Sequence, residues 1–291
     1  MSETKINSNA TATLDPATTV GQVTLAVADL EMMAAYYQQV IGLRLLERTS
    51  QTIELGVGET PLVRLEARPG GKRYPTATGL FHLALLLPSR QDLGLWLKHF
   101  VTSQNRMIDG AGDHLVSEAL YLSDPEGNGL EIYRDRPRDT WEYDNNGVKM
   151  ATLAVDLPAL VADAADTPFT GMPAGTTMGH VHLQVDDVTK ALGFYRDILG
   201  FDLMAAMPSA GFISAGGYHH HIGMNTWHSR GAAPPPAGSL GLVSYQVVLP
   251  TAAAREALLS HLDSQNYSLE QTQAGPLGRD PAGNGLVFAV A

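Results

Sequence analysis

The chain of 291 residues carries 44% hydrophobic and 17% charged side chains, a balance that supports packed cores, argues against wholesale disorder and suggests two domains. Its formal net charge of −11 leaves no basic stripe to neutralise phosphates, so nucleic acid is not expected as a partner. It has no cysteine, which excludes disulfides and thiolate metal sites and leaves any metal to His, Asp or Glu. Residues 1–16, MSETKINSNATATLDP, are polar and lack an apolar secretion core; they are expected to form a flexible tail. No run approaches the ~18 apolar residues of a membrane span, so a cytoplasmic globular protein with no membrane contact is expected.

From Val20, VGQVTLAVADLEMMAAYYQQVIGLRLL reads as an alternating strand, an Asp29-Leu30 step and a helical stretch bearing Tyr37. The stretch ends at Gly42, which suits a left-handed cap. GLFHLALLLPS from Gly79 is a second strand followed by a helical segment, and DPEGNGLEI from Asp124 is a hairpin turn between apolar runs. Residues 138–176 form a connector, with an acidic, Ala-rich and partly helical stretch near Leu157 to Asp166 and a Pro/Gly-rich end. From Met178 the pattern repeats. MGHVHLQVDDVTKALGFYRDILGFDLM aligns with the first stretch without a gap at an offset of 158, placing Tyr195 on Tyr37 and Gly200 on Gly42. GLVSYQVVLPT from Gly241 matches the segment at Gly79, and DPAGNGLVF from Asp280 matches the turn at Asp124. Four strand-helix-strands units result, at about 18–70, 78–137, 177–230 and 239–291. Modules one and two make a half over 17–137, and modules three and four a half over 177–291. Asp124 and Asp280 belong to the turns and need no other role. GAAPPPAG at 231–238 is a loop that either covers a pocket or only links modules three and four.

The repeated module, its helix ending at Gly and the DP-x-GN-G-x-E hairpin resemble the vicinal oxygen chelate superfamily. That superfamily includes glyoxalase I, antibiotic-resistance binding proteins and extradiol dioxygenases. Within it, GDHLVSEALYLSDPEGNGLEIYRDRP (112–137), MGHVHLQV (178–185) and SAGGYHHHIGMN (214–225) look most like the catechol 2,3-dioxygenase branch of bacilli. The resemblance spans nearly the whole chain after the tail. It implies an α+β fold of four βαβββ modules in two halves with curved mixed sheets. It also implies Fe(II)-dependent extradiol cleavage of catechol or a substituted catechol by O2, the aromatic diol and O2 being the partners.

The resemblance further implies ligand positions on the first strand of each module and the last strand of the even ones. Carried over, they hold Gln22, His82, His180 and Ser244 on first strands, and Glu131 and Val287 on last strands. A lone strand His is more often a core residue, and a Glu after Gly-Asn-Gly can cap a turn. The three together, His82, His180 and Glu131, make a two-His, one-carboxylate triad suited to non-haem iron(II) with open positions. This requires module two to pair with three and one with four, within one chain or between chains. His182, on the same strand face as His180, is a further polar neighbour or alternative ligand.

In the run Tyr218-His219-His220-His221, strand alternation puts His219 and His221 on one face and His220 on the other. The resemblance places His221 at the acid/base histidine, Tyr121 at a tyrosine that hydrogen-bonds substrate oxygen, and His114 as a second acid/base group lining the pocket. The plainer readings are a solvated His cluster and a core tyrosine. Asn225, Trp227 and Trp141 are cavity-lining candidates. Two rivals stay open. A glyoxalase-type lyase or isomerase would use Gln22, Glu66, His82 and Glu131 with zinc or nickel, leaving His180 and His221 unemployed. A metal-free aromatic-ligand binder needs only a greasy cleft. Ring substituents, the metal loaded and the oligomeric state, a homo-oligomer included, are left open.

Overall fold

The computed structural model describes residues 13–144 and 147–291. The tail expected over 1–16 falls outside them as far as residue 12; at its described end Leu14 is buried and its amide donates to the Gly200 carbonyl at 3.3 Å. Alternating apolar positions build β1 (Thr19–Val27), and the Asp29 carboxylate then accepts from the Met32 amide at 2.9 Å to start α1 (Leu30–Tyr36). The helix widens into a π turn over Tyr37–Ile41 and stops at Gly42, whose φ of 96° is the left-handed cap expected there. Three strands close the module: β2 (Arg44–Arg48), β3 (Thr52–Val57) and β4 (Thr60–Ala67).

The plan recurs. Module two has β5 (Gly79–Leu86), α2 (Arg90–Lys98), β6 (Gly110–Asp113), β7 (Ser117–Ser123) and β8 (Gly129–Asp135). The connector holds a two-stranded ribbon of β9 (Tyr143–Asp144) and β10 (Gly147–Val148), then α3 (Leu157–Ala162). Module three has β11 (Thr177–Gln184), α4 (Val188–Leu192), β12 (Asp202–Met207), β13 (Ala210–Ser214) and β14 (Ile222–Asn225). Module four has β15 (Gly241–Leu249), α5 (Ala252–Ser264), β16 (Glu270–Thr272), β17 (Gly275–Arg279) and β18 (Gly285–Val290). Ser89, Asp187 and Thr251 repeat the side-chain cap of Asp29.

These strands form two eight-stranded mixed sheets, so the fold is α+β with four βαβββ modules. One sheet runs β16-β17-β18-β15-β1-β4-β3-β2 and the other β12-β13-β14-β11-β5-β8-β7-β6. Each is therefore joined along an antiparallel seam, β1 with β15 and β5 with β11. Module one sits with four and two with three, so neither sequence half, 17–137 or 177–291, owns a sheet.

What ties a half together is the helix and the turn. The Tyr37 hydroxyl donates to Asp124 at 3.1 Å, and that of Tyr195 to Asp280 at 3.0 Å. Each carboxylate also accepts two backbone amides of its own turn, so Asp124 and Asp280 do more than shape hairpins: they clamp a helix to a turn of the opposite sheet. A continuous apolar core, including Leu25, Leu83, Trp96, Val181 and Phe288, fills the space between. Each such side chain contributes about 1.5–3 kcal/mol by leaving water. No helix among the described residues is long and apolar enough to cross a membrane.

Candidate metal centre

Three neighbouring strands of the second sheet carry the central residues. In the β11–β5–β8 ladder both His180 and Glu131 lie opposite Ala84, and His82 is two residues from Ala84 and so on its face. The small Ala84 lets longer side chains from either side lean over it. His82 Nε2 lies 3.0 Å from Glu131 Oε2, His180 Nε2 lies 3.2 Å from the same oxygen, and the two Nε2 atoms are 3.4 Å apart. Ligand atoms about 2.1 Å from one cation stand ~3.0 Å apart at a right angle and ~3.4 Å apart at a tetrahedral angle, so this triangle fits a single metal ion. It is the one such His/carboxylate cluster among the described residues, and all three members are buried. Burial opposes ionisation of Glu131, yet the flanking His180 and His82 imidazoles hold its carboxyl well below the usual range. Burial likewise lowers the pKa of His180, against the pull of Glu131. The donor set is thus one carboxylate and two imidazoles.

The cluster opens on a cavity of about 750 Å³, walled by Phe81, Tyr121, His182, Phe212, His220 and Trp227 among others. Tyr121 is the cross-strand partner of Glu131. Its hydroxyl is 2.7 Å from His114 Nε2, while His114 Nδ1 is 2.9 Å from the Ala151 carbonyl. A carbonyl only accepts, so Nδ1 carries the hydrogen and Nε2 accepts from Tyr121. Burial, followed by the Glu131 charge, raises the Tyr121 pKa and keeps the phenol neutral. The connector supplies a further wall through Met150, Ala151 and Thr152, a part that sequence reasoning missed because the segment has no periodicity. The loop at 231–238 does not line this cavity; it lines an adjoining one of about 530 Å³, with Arg73, Pro75, Leu80 and Gln184 shared between the two.

The histidine run requires a correction. The strand expected there begins only at Ile222, and Tyr218–His221 form an irregular, bent segment after the turn at Gly216 and Gly217, both with positive φ. Strand alternation cannot be counted through such a segment. His220 lines the cavity, its ring 4.2 Å from that of His180. His221 points away: its Nδ1 accepts from the Ala215 amide at 3.1 Å and its ring stacks on Tyr218. Burial, then the His219 and His180 imidazoles, push its pKa down to about 3. The Gly-Gly step was the signal available in the sequence. His182 lines the cavity beside His82 but stays outside the triangle. Trp227 lines the cavity; Asn225 is buried and accepts from the Trp227 amide; Trp141 packs on Tyr218 and His219. Gln22, Glu66, Ser244 and Val287 all lie in the other sheet, so Gln22 and Glu66 do not meet His82 and Glu131.

The sequence model of the Glyoxalase/Bleomycin resistance protein/Dioxygenase superfamily matches residues 19–132 and again 177–288. The chain is 42% identical over 279 residues to a Bacillus subtilis protein named catechol-2,3-dioxygenase, covering 94% of this chain and 97% of that one. It is 23% identical over 127 residues to a Staphylococcus epidermidis metallothiol transferase, covering 43% of this chain and 88% of that one. Among solved structures, a Bacillus subtilis protein superposes with a TM-score of 0.65 at 13% identity, covering 96% of this chain and 86% of the other. Glyoxalase I of Zea mays superposes with a TM-score of 0.54 at 15% identity, covering 94% and 92%; at these identities the likeness is one of fold. The chain belongs to the Glyoxalase/Bleomycin resistance protein/Dioxygenase superfamily.

Proposed function

We propose that this superfamily member is an iron(II)-dependent extradiol dioxygenase, opening the ring of catechol or a substituted catechol with O2 at the bond beside the diol. The observation that carries the reading is the His82–His180–Glu131 triangle, edges 3.0–3.4 Å, facing a cavity walled by His220 and Tyr121. The relative named catechol-2,3-dioxygenase, alike over nearly the full length of both chains, supports it. Iron held by these three side chains would supply Lewis acidity toward the diol and open coordination positions.

The remaining chemistry belongs to the chain. His220, neutral because burial disfavours its charged form, is placed to accept a proton from a substrate hydroxyl. Tyr121 has its own hydrogen committed to His114, so its oxygen presents lone pairs that accept the hydrogen of the other hydroxyl and orient the ring. Phe81, Phe212 and Trp227 cover the ring faces and keep bulk water away. The glyoxalase-type alternative loses support because Gln22 and Glu66 lie on strands of the other sheet. A metal-free binding protein would have no use for two buried imidazoles converging on one carboxylate oxygen. The test is anaerobic iron(II) reconstitution followed by catechol in air. A yellow ring-opened product with matching oxygen uptake is expected. Iron-loaded protein that opens neither catechol nor its alkyl and aryl derivatives would sink the reading.

A further inference from the structure

Behind His220 lies a second line of groups that the reaction as described does not use. His219 has only 1% of its side chain exposed, and both its ring nitrogens are engaged. Its Nε2 is 3.0 Å from Asp135 Oδ1, and its Nδ1 is 2.8 Å from His220 Nδ1. A carboxylate only accepts, so the hydrogen on a neutral His219 sits on Nε2. Its Nδ1 is then an acceptor, and the hydrogen between the two rings belongs to His220 Nδ1. That leaves His220 with an unprotonated Nε2 as the atom free for the cavity it lines.

The outer end is fixed as firmly. Asp135 Oδ2 accepts from the Tyr218 hydroxyl at 2.8 Å, which is itself 2.8 Å from the Tyr133 hydroxyl. Trp141 covers the Tyr218 and His219 rings at 5.9 and 5.5 Å. Asp135, with 21% of its side chain exposed, is the member that reaches solvent. The line therefore runs from the cavity, through two buried imidazoles, to a carboxylate at the surface.

We propose that His219 and Asp135 are positioning residues that fix His220 in its Nδ1–H tautomer, and that the three together form the path by which a substrate proton leaves the closed site. The path rests on the assignment of His220 as the proton acceptor; the tautomer assignment rests on hydrogen-bond geometry alone. A substrate hydroxyl gives its proton to His220 Nε2, His220 Nδ1 releases its own to His219 Nδ1, and His219 Nε2 releases one to Asp135. Each nitrogen gains or loses one proton, no electrons move, and the carboxylate exchanges the last proton with water.

The two parts are tested separately. Nitrogen-15 correlation spectra of the full chain, histidine-labelled and loaded with diamagnetic zinc, should report Nε2–H for His219 and Nδ1–H for His220. Finding Nε2–H on His220 would overturn the proposal. In the iron-loaded enzyme, His219→Leu should lower kcat by about 10²-fold, as expected for a misplaced proton-transfer group, with KM and iron content close to the wild type. His219→Gln can donate to Asp135 through its amide NH2 and accept from His220 through its amide oxygen, so it should keep the His220 Nδ1–H signal that His219→Leu loses; an amide cannot relay a proton, so its kcat should stay about as low as that of His219→Leu. Loss of that signal in His219→Gln would overturn the positioning role, and wild-type kcat in either variant would overturn the path. The stated tautomers in a wild-type protein that opens no catechol would instead overturn the dioxygenase reading and the path, leaving the tautomer assignment standing.

Discussion

The two sheets share strand order, helix caps and Asp-Pro-x-Gly-Asn-Gly turns, and among the described residues only one of them gathers a metal-binding set. Where the second sheet has His180, His82 and Glu131, the first has Gln22, Ser244 and Val287. The face differs as well as the three positions. In the first sheet Thr24 pairs with Arg64, which is ion-paired to Glu54 at 2.7 Å and Glu66 at 3.5 Å, so a charged cluster stands on that sheet. In the second, His182 stands at the place of Thr24 and pairs with Gly223, where a Cβ would lie only 2.9 Å from its ring nitrogen. A site here needs ligands and also an emptied face, and the two requirements are met by different residues on different strands.

The largest effect expected is at the ligands. Glu131→Ala should lose bound iron and at least ~10³-fold of ring-opening activity, because a charged ligand goes while the apolar core stays; iron stoichiometry and circular dichroism check it. The converse graft, Gln22→His with Ser244→His and Val287→Glu, should leave the metal content at one per chain as long as Arg64 and its partners occupy the face. A second bound metal in that variant would break the comparison. Next comes the histidine run. His220→Ala should keep iron and lose about 10²–10⁴-fold in kcat, the range for a positioned acid/base group, whereas His221→Ala should leave kcat nearly intact and cost about 1–3 kcal/mol of stability through the unpaired Ala215 amide. Iron content, turnover and denaturant melts of the pair decide it.

A smaller and symmetric effect is expected at the clamps. Asp124→Ala and Asp280→Ala should each destabilise the fold by about 1–3 kcal/mol or more, since each removes the carboxylate acceptor of a tyrosine hydroxyl and of two turn amides. Unequal thermal shifts would show that the two halves are less alike than their turns. The smallest effect is in acid. Burial works against the Glu118 charge, but Arg90 and Arg134 outweigh it and hold the carboxyl below its ordinary value. Its folded pKa is the lower one, so its stabilisation is present above about 4.5 and fades as pH falls through the depressed value. Glu118→Gln should flatten the acid limb of the stability curve, measured by denaturant titration at several pH values.

The modules were legible because their signals are local. A capping Asp after a strand, a Gly at a helix end and an Asp-Pro-x-Gly-Asn-Gly turn each set their own backbone; the first two recur at an offset of 158 and the turn at 156. The pairing of module two with three followed from where ligand-type side chains fall. What stayed hidden depends on contacts between distant segments or on a broken period. Gly216-Gly217 ends the alternation just before the histidines, which exchanged the places of His220 and His221. Asp135 and His219 are 84 residues apart and meet only through the sheet. The connector wall at Met150–Thr152 is set by the Asp113–Leu153 backbone pair, to which no side-chain pattern points.

The interleaved seams also bear on how the chain folds. When only modules one and two have been made, β1 and β5 are both open edges, each with a full row of unsatisfied amides and carbonyls, and each awaits a strand from the other half. Synthesis of the remaining ~150 residues takes on the order of 10–30 s, so these edges persist far longer than a hairpin needs to form. High contact order of this kind slows closure and makes a second nascent chain a competitor for the same edges. Concentrated refolding should therefore yield exchanged dimers in which β11 of one molecule completes the triangle of another. Their iron content would equal that of the monomer, because the exchange conserves every pairing across the seam.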